Sequence, residues 1–198
     1  DLASYPIVTM HEKDAGPYLT AGVTIMRDPA TGRLNAGIYR NQVVSPTALT
    51  VNMAPLCHGA EITRAAEQRG EPAVDAAIVL GHHPAMGMAS QQRGQLAEFE
   101  LETMGGLLGE PVRVVPARTV DVLVPADAEI VIEGRIRTDR WEPDGPFGDY
   151  WLYYAPAKRA RVLELTAITR RRDALFHDVF NVGPEHLVLF SLGMEGVV

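Results

Sequence analysis

The sequence has one cysteine, no long apolar run and no excess of basic residues, and each absence excludes a class of protein. A single cysteine, Cys57, cannot form an intrachain disulfide, which fits a reducing compartment, so we expect a cytoplasmic protein. No apolar run approaches the roughly 20 residues of a membrane-spanning helix, which predicts no membrane span. The net charge of −7 argues against nucleic acid as the main partner, because phosphate binding requires a basic face.

Apolar residues and turn residues are plentiful instead. Hydrophobic residues make up 46% of the 198, enough for a substantial core. Short β-branched apolar segments alternate with Gly- and Pro-containing turns, and two segments, 57–69 and 98–108, have helical composition and are followed by Gly70 and Gly109. This pattern predicts an α+β fold, a barrel-like β domain with helical insertions. The predicted strands are residues 20–27, 35–44, 49–53, 74–80, 112–115, 120–124, 129–137, 162–170 and 174–180.

The segment 144–149, DGPFGD, is the most informative stretch of the chain. It separates two carboxylates, Asp144 and Asp149, by a Gly-Pro turn and a second glycine, and this composition excludes a helix. Two acids on a rigid loop suit general acid–base chemistry. The alternative is an ordinary Asp-Gly-Pro turn on the surface.

This segment resembles the acid-Gly-Pro-Phe-Gly-acid loop of the UbiD family of decarboxylases, which use prenylated FMN. Four further segments are similar to motifs of that family and occur in the same order. They are KDAGPY at 13–18, NAGIYR at 35–40, LGHHP at 80–84 followed by Ala89-Ser90, and PA at 125–126 followed by EIVIEG at 129–134. The resemblance covers nearly the whole chain.

The resemblance implies a fold and an activity. It implies that residues 1–198 are a split β-barrel flavin-binding domain, and we expect a fragment lacking parts of the N- and C-terminal domains. It implies a reversible, non-oxidative decarboxylase of an aromatic, heteroaromatic or α,β-unsaturated carboxylic acid. It further implies prenylated FMN supplied by a flavin prenyltransferase, Mn²⁺ or Mg²⁺, K⁺, and a homo-oligomer in the full-length protein.

A metal site is implied at Asn35, His58 and Glu100. An amide oxygen, an imidazole nitrogen and a carboxylate oxygen suit a divalent cation, which would hold the phosphate of the cofactor. Glu98 is the alternative to Glu100, and we expect Glu100 because the two lie about 200° apart on a helix. Each residue also has an ordinary explanation: a turn residue for Asn35, a helix-start residue for His58, an exposed acid for Glu100.

The resemblance also implies a catalytic group of Arg40, Asp144 and Asp149. Arg40 would bind the substrate carboxylate, Asp144 would be its partner, and Asp149 would donate the proton after CO₂ leaves. The family usually has Glu at the first acid, and Asp is one methylene shorter. We therefore expect Asp144 to reach Arg40 through water, to matter less than Asp149, and to tolerate replacement by Glu.

The remaining positions aligned with cofactor contacts lie in four regions of the sequence. Gly37 would let the backbone approach a flat ring, and the turn at 84–92 would present backbone groups to phosphate and K⁺. Cys57 stands where the family often has Gln. The full set of cofactor positions is Thr20, Asn35, Gly37, Ile38, Arg40, Cys57, His58, Ala89, Ser90, Gln91, Gln92 and Glu100.

Two other functions fit the residues. One is a flavin-binding or assembly module without catalysis, which the replacement of Glu by Asp144 favours. The other is a metal hydrolase without flavin, which would show a featureless visible spectrum after reconstitution.

Overall fold

An eight-stranded antiparallel sheet dominates the computed structural model, which describes residues 1–92 and 99–183. Its strands are β1 (Tyr18–Leu19), β2 (Val23–Arg27), β3 (Leu34–Ile38), β4 (Asn41–Ser45), β5 (Ala48–Val51), β6 (Ala73–Leu80), β9 (Ile130–Asp144) and β12 (Lys158–Arg170). They are ordered β1-β4-β5-β12-β9-β6-β2-β3. Two small antiparallel pairs accompany the sheet: β7 (Val114–Pro116) with β8 (Leu123–Pro125), and β10 (Phe147–Gly148) with β11 (Tyr154–Ala155).

Three α-helices are inserted between the strands in the described part of the chain. They are α1 (His58–Gln68), α2 (Pro84–Ala89) and α3 (Glu100–Leu108), and a 3₁₀ turn precedes them at Leu2–Ser4. The residues that follow α1 and α3 stop them as the sequence predicted, because Gly70 and Gly109 adopt φ of 77° and 73°. No helix within residues 1–92 or 99–183 is long and apolar enough to cross a membrane.

The predicted α+β fold, with many strands and few helices, is confirmed. The split barrel stays a prediction, because the strand order ends at β1 and β3 and no pairing joins those two strands in the described residues. Two local predictions are wrong. Residues 174–180 form no strand, and residues 84–89 form a short helix, α2, in place of a turn, with His83 Nδ1 accepting from the Ala85 N–H at its start.

The predicted strand at 35–44 is in fact two strands that pair with different neighbours. β3 pairs with β2, whereas β4 pairs with β1 and β5. The chain changes partner at Tyr39 and Arg40, where the Tyr39 ring is buried in the core and Arg40 forms an isolated bridge with Asn52. Asn35 and Arg40 therefore lie in separate parts of the sheet although only four residues lie between them.

The sheet is covered on both faces, so β6 is apolar and buried from Ala76 to Leu80. On β6, Ile78 packs into one core with residues of α1, whereas Ala77 and Val79 pack into a second core with residues of α2 and α3. Alternate side chains of a strand point to opposite faces, which explains this division. The two cores hold fixed the helix ends and strand ends that carry the polar residues described below.

The strands β9 and β12 are the longest in the fold and carry the 144–149 loop. β9 was predicted at 129–137 but continues to Asp144, because β12 pairs with it as far as Lys158 opposite Asp144. Gly134 lies within this pair at a point of close backbone approach. A Cβ atom on Gly134 would lie 2.4 Å from the carbonyl oxygen of Glu164 on β12.

We predict that Gly134→Ala destabilises the protein by about 1–3 kcal/mol, because the new methyl group must displace backbone of β12. Gly106→Ala is the matched control, since nothing lies within 4 Å of the added Cβ and α3 should gain helix propensity. Chemical denaturation measures both. A Gly134→Ala protein as stable as Gly106→Ala would show that the β9–β12 backbones are not this close.

Candidate active site and metal centre

The three predicted metal ligands come together from three elements. Asn35 lies on β3, His58 begins α1 and Glu100 begins α3. Asn35 Nδ2 donates to Glu100 Oε1 at 2.6 Å and lies 3.4 Å from His58 Nδ1. The other carboxylate oxygen of Glu100 accepts from the Ala36 backbone N–H at 2.7 Å. Glu98, the alternative acid, lies outside the described residues.

The donor chemistry of this cluster fits a divalent cation. Asn35 Oδ1 is buried and has no hydrogen-bond partner within residues 1–92 and 99–183, so the Asn35 amide, whose Nδ2 lies beside the imidazole and the carboxylate, has an unused oxygen. Burial raises the pKa of Glu100 despite the opposing hydrogen bond from Ala36 N–H. A bound cation would favour the charged carboxylate and give the amide oxygen a partner. Asn35, His58 and Glu100 therefore have the oxygen and nitrogen set that Mn²⁺ or Mg²⁺ takes in proteins.

Tyr39 fills the space between β3 and α1. A Cβ on Gly37 would lie 2.6 Å from Tyr39 Oη, and one on Gly59 would lie 2.7 Å from the same atom. Gly37 and Gly59 therefore both leave room for Tyr39, and the approach of Gly37 to a cofactor ring stays a prediction. Burial and the neighbouring Cys57 raise the pKa of the Tyr39 phenol. The Sγ atom of Cys57 also accepts from Ala60 N–H at 3.4 Å, which caps α1.

Arg40 and Asp144 form a direct buried ion pair. Arg40 Nε and Nη2 donate to Asp144 Oδ1 at 2.9 and 2.7 Å. Asp144 is completely buried, and the Arg40 side chain is 16% exposed. The expectation that Asp144 reaches Arg40 only through water is therefore wrong. The extended β9 strand brings the Asp144 backbone close enough for the shorter side chain.

Two residues that sequence reasoning missed also hold Asp144. Thr50 Oγ1 donates to Asp144 Oδ2 at 2.6 Å, and Asn52 Nδ2 donates to Asp144 Oδ1 at 2.7 Å. The sequence did contain a signal for each residue. Thr50 is the one polar residue of a short apolar strand, and Asn52 comes directly after that strand. A buried carboxylate requires such donors.

The Arg40 guanidinium is also held by an aromatic ring. Its central carbon lies 4.8 Å from the centre of the Phe147 ring, and Phe147 packs on Tyr18 with 4.6 Å between ring centres. Gln42 Oε1 accepts from Tyr18 Oη at 2.9 Å and from Gly145 N–H at 3.0 Å. The first half of the 144–149 loop is thus fixed against β1 and β4.

Asp149 is in a different environment. It is half-buried, and its Oδ1 accepts from Tyr150 N–H at 2.7 Å and from Asn181 Nδ2 at 3.5 Å. Within residues 1–92 and 99–183 it makes no hydrogen bond or ion pair with Arg40 or Asp144. The structure therefore brings Arg40 and Asp144 together and leaves Asp149 at the other end of the loop with a solvent-accessible carboxylate.

The motif at 13–18 supports this second half of the loop. Asp14 Oδ1 accepts from Gly148 N–H at 2.7 Å, and Ala15 N–H donates to the Pro146 carbonyl at 2.9 Å. A Cβ on Gly148 would lie 2.5 Å from the His11 ring. The backbone next to Asp149 is therefore fixed from the N-terminal side of the chain.

The other predicted cofactor positions lie on β3, on α2, and in the loops before β2 and after α2. Thr20 Oγ1 lies 2.5 Å from Asp178 Oδ1 and 2.6 Å from the Val179 carbonyl, so residues 178–179 cover it. Ile38 ends β3, and Ala89 ends α2. Ser90 Oγ donates to the Gly87 carbonyl at the end of α2, and Gln91 and Gln92 follow it. In the described part of the chain no hydrogen bond joins these residues to the Asn35–His58–Glu100 cluster.

Comparison with solved structures places this architecture among UbiD-class enzymes. HmfF from Pelotomaculum thermopropionicum, in an evolved dimeric form solved in complex with prFMN, superposes with a TM-score of 0.92 at 44% identity. The match covers 98% of this chain and 45% of that one. Vanillic acid decarboxylase from Sedimentibacter hydroxybenzoicus, in closed form, superposes with a TM-score of 0.88 at 26% identity, covering 93% and 40%.

Comparison of sequences agrees. Anhydromevalonate phosphate decarboxylase from Methanothermobacter thermautotrophicus is 35% identical over 195 residues, which are 98% of this chain and 45% of that protein. The chain thus spans less than half the length of these relatives. The model of the UbiD family, described as the 3-octaprenyl-4-hydroxybenzoate carboxy-lyase Rift-related domain, matches residues 1–184. The chain belongs to the UbiD family, as its motifs predicted.

Proposed function

We propose that this chain is the flavin-binding and carboxylate-binding part of a reversible, non-oxidative decarboxylase that uses prenylated FMN. Its substrate would be an aromatic, heteroaromatic or α,β-unsaturated carboxylic acid, and its sheet would be the split barrel predicted from the sequence. The observation that carries the proposal is Arg40, whose guanidinium is fixed on one side by the buried Asp144. Membership of the UbiD family and the similarity to HmfF, solved with prFMN, support the cofactor.

The geometry of Arg40 suits a substrate carboxylate. Its Nε and Nη2 atoms face Asp144, whereas Nη1 makes no hydrogen bond in the described part of the chain. A guanidinium that is held along one edge and has N–H groups left over can bind a planar carboxylate, and its side chain does not first have to be oriented. Phe147 below the guanidinium limits its movement. Arg40 would therefore bind and orient the acid, and Asp144 would act through Arg40.

Asp149 would supply the proton. Its carboxylate is half-buried and accepts a main-chain hydrogen bond from Tyr150, so its position is defined while it remains accessible to solvent protons. Prenylated FMN, when bound, supplies the electron sink for the loss of CO₂. The chain's own task is to hold the acid at Arg40, to exclude water around the buried pair, and to deliver one proton from Asp149 Oδ.

The metal cluster would hold the phosphate of the cofactor. Asn35, His58 and Glu100 would bind Mn²⁺ or Mg²⁺ through three protein atoms and leave positions open for phosphate oxygens. The segment 84–92 would bind K⁺, and this part rests on the resemblance of its motif alone.

A flavin-binding module without catalysis is the second candidate. The observation that favours it is the lack of any hydrogen bond between Asp149 and the Arg40–Asp144 pair in the described residues. Protein co-expressed with a flavin prenyltransferase decides between the two candidates. Exchange of ¹³CO₂ into any unsaturated or aromatic acid supports the decarboxylase, and an intact cofactor without exchange on a broad panel of acids supports the module.

We predict that Glu100→Gln and His58→Ala each lower metal content and flavin occupancy together. Loss of a ligand should weaken metal binding by more than the roughly 10–100-fold that loss of an outer-sphere partner costs. Elemental analysis and visible absorption of the purified protein measure the two quantities.

Glu102→Gln is the matched control for this site, because Glu102 lies in the same first turn of α3 but is exposed. It should keep both metal and flavin. If Glu98→Gln lost the metal while Glu100→Gln kept it, the assignment of the ligand would be wrong.

We predict that Asp149→Asn lowers turnover by ~10²–10⁴-fold, the usual effect of removing a positioned acid, and leaves flavin spectrum and melting temperature unchanged. The control is Asp127→Asn, because the Asp127 side chain is 73% exposed and forms its ion pair with the surface residue Arg113. Steady-state CO₂ release measures both. Near-normal turnover of Asp149→Asn would remove Asp149 from the mechanism.

A further inference from the structure

We propose that Thr50 and Asn52 are positioning residues that fit this site to an acid of the length of aspartate at position 144. The inference rests on the proposed function, since it concerns how Arg40 is held ready for a carboxylate. It replaces the expectation from sequence that Asp144→Glu would be tolerated. In the structure, Thr50 and Asn52 occupy the space around the Asp144 carboxylate.

The Thr50 hydroxyl has a single possible arrangement. It is completely buried, and its oxygen accepts from Gln42 N–H at 3.0 Å. Its one hydrogen is directed to Asp144 Oδ2, 2.6 Å away. Because β5 pairs with both β4 and β12, the Thr50 backbone cannot shift without disturbing two strands. Thr50 therefore fixes Oδ2 of Asp144 from the centre of the sheet.

Asn52 links the two members of the ion pair. Its backbone N–H donates to the Arg40 carbonyl at 3.1 Å, and its side chain donates to Asp144 Oδ1 at 2.7 Å. Asp144 Oδ1 thus accepts from Asn52 Nδ2 and from both Arg40 Nε and Nη2. Such a fully satisfied buried network is rigid, and its members cannot move independently.

A longer acid does not fit this arrangement. Asp144 has no exposed surface, so the additional methylene of Glu would have to displace Thr50, Asn52 or Arg40. Displacing Arg40 would turn its free edge away from the substrate. The length of the acid at 144 and the side chain at 50 are therefore coupled, and a change at one determines what the other tolerates.

The first experiment removes only the hydroxyl. Thr50→Val is nearly isosteric and should lower kcat/KM by about 10–100-fold, chiefly through a raised KM, because a misplaced Arg40 binds the carboxylate poorly. Thr50→Ser keeps the hydroxyl and should restore most of the loss. Thr24→Val is the matched control, since Thr24 is equally buried and its hydroxyl has no hydrogen-bond partner among the described residues. A Thr50→Val protein with unchanged KM would overturn the positioning role.

The second experiment tests the coupling. Asp144→Glu alone should lose at least ~10-fold in kcat/KM, and adding Thr50→Ala should recover at least ~10-fold of it, because the smaller side chain admits the methylene. If the loss of kcat/KM in the double variant equals the combined losses of the Asp144→Glu and Thr50→Ala single variants, the proposal would be overturned.

A third measurement separates this inference from the proposed function, because it needs no substrate. Thermal unfolding of wild type, Thr50→Val, Asp144→Asn and the double variant forms a cycle. If the double variant loses less melting temperature than the two single variants lose in sum, the Thr50–Asp144 contact is supported even if no acid is decarboxylated. Additive losses contradict it even in an active enzyme.

Discussion

The buried contact between Arg40 and Asp144 is the constraint on which the rest of the site depends. A carboxylate with no exposed surface is costly unless every lone pair is used, and here Arg40, Thr50 and Asn52 all donate to it. Replacing the network by apolar side chains would make a more conventional core. The presence of this polar network in the interior is explained if the site must hold Arg40 in one orientation.

The fold supplies this geometry by two departures from regular strands. The chain leaves β3 after Ile38 and joins a different part of the sheet at Asn41, so that Arg40 faces Asn52 across an isolated bridge. The strand β9 runs on to Asp144 because β12 continues to pair with it through two register shifts. The same change of partner buries Tyr39 between β3 and α1, beside the Asn35–His58–Glu100 cluster. Asn35 of the candidate metal site and Arg40, the proposed carboxylate-binding residue, thus lie in one short segment.

Much of this site could be predicted from the sequence because its motifs are local. Asn35, Tyr39 and Arg40 lie within one six-residue segment, and Asp144 and Asp149 lie within another. What the sequence could not reveal depends on contacts between distant segments. The reach of Asp144 depends on how far β12 pairs with β9, the need for Gly37 depends on where the Tyr39 hydroxyl lies, and Thr50 resembles any strand threonine until Asp144 lies opposite it.

The most direct test of this account is a high-resolution structure of the flavin-loaded protein with an unreactive aromatic carboxylic acid bound. We predict that Arg40 Nε and Nη2 keep their hydrogen bonds to Asp144 Oδ1, that Thr50 and Asn52 keep theirs, and that the ligand carboxylate contacts the remaining edge of Arg40. An Arg40 side chain that leaves Asp144 to bind the ligand, or a carboxylate bound away from Arg40, would contradict the claim that the buried pair prepares the arginine for its substrate.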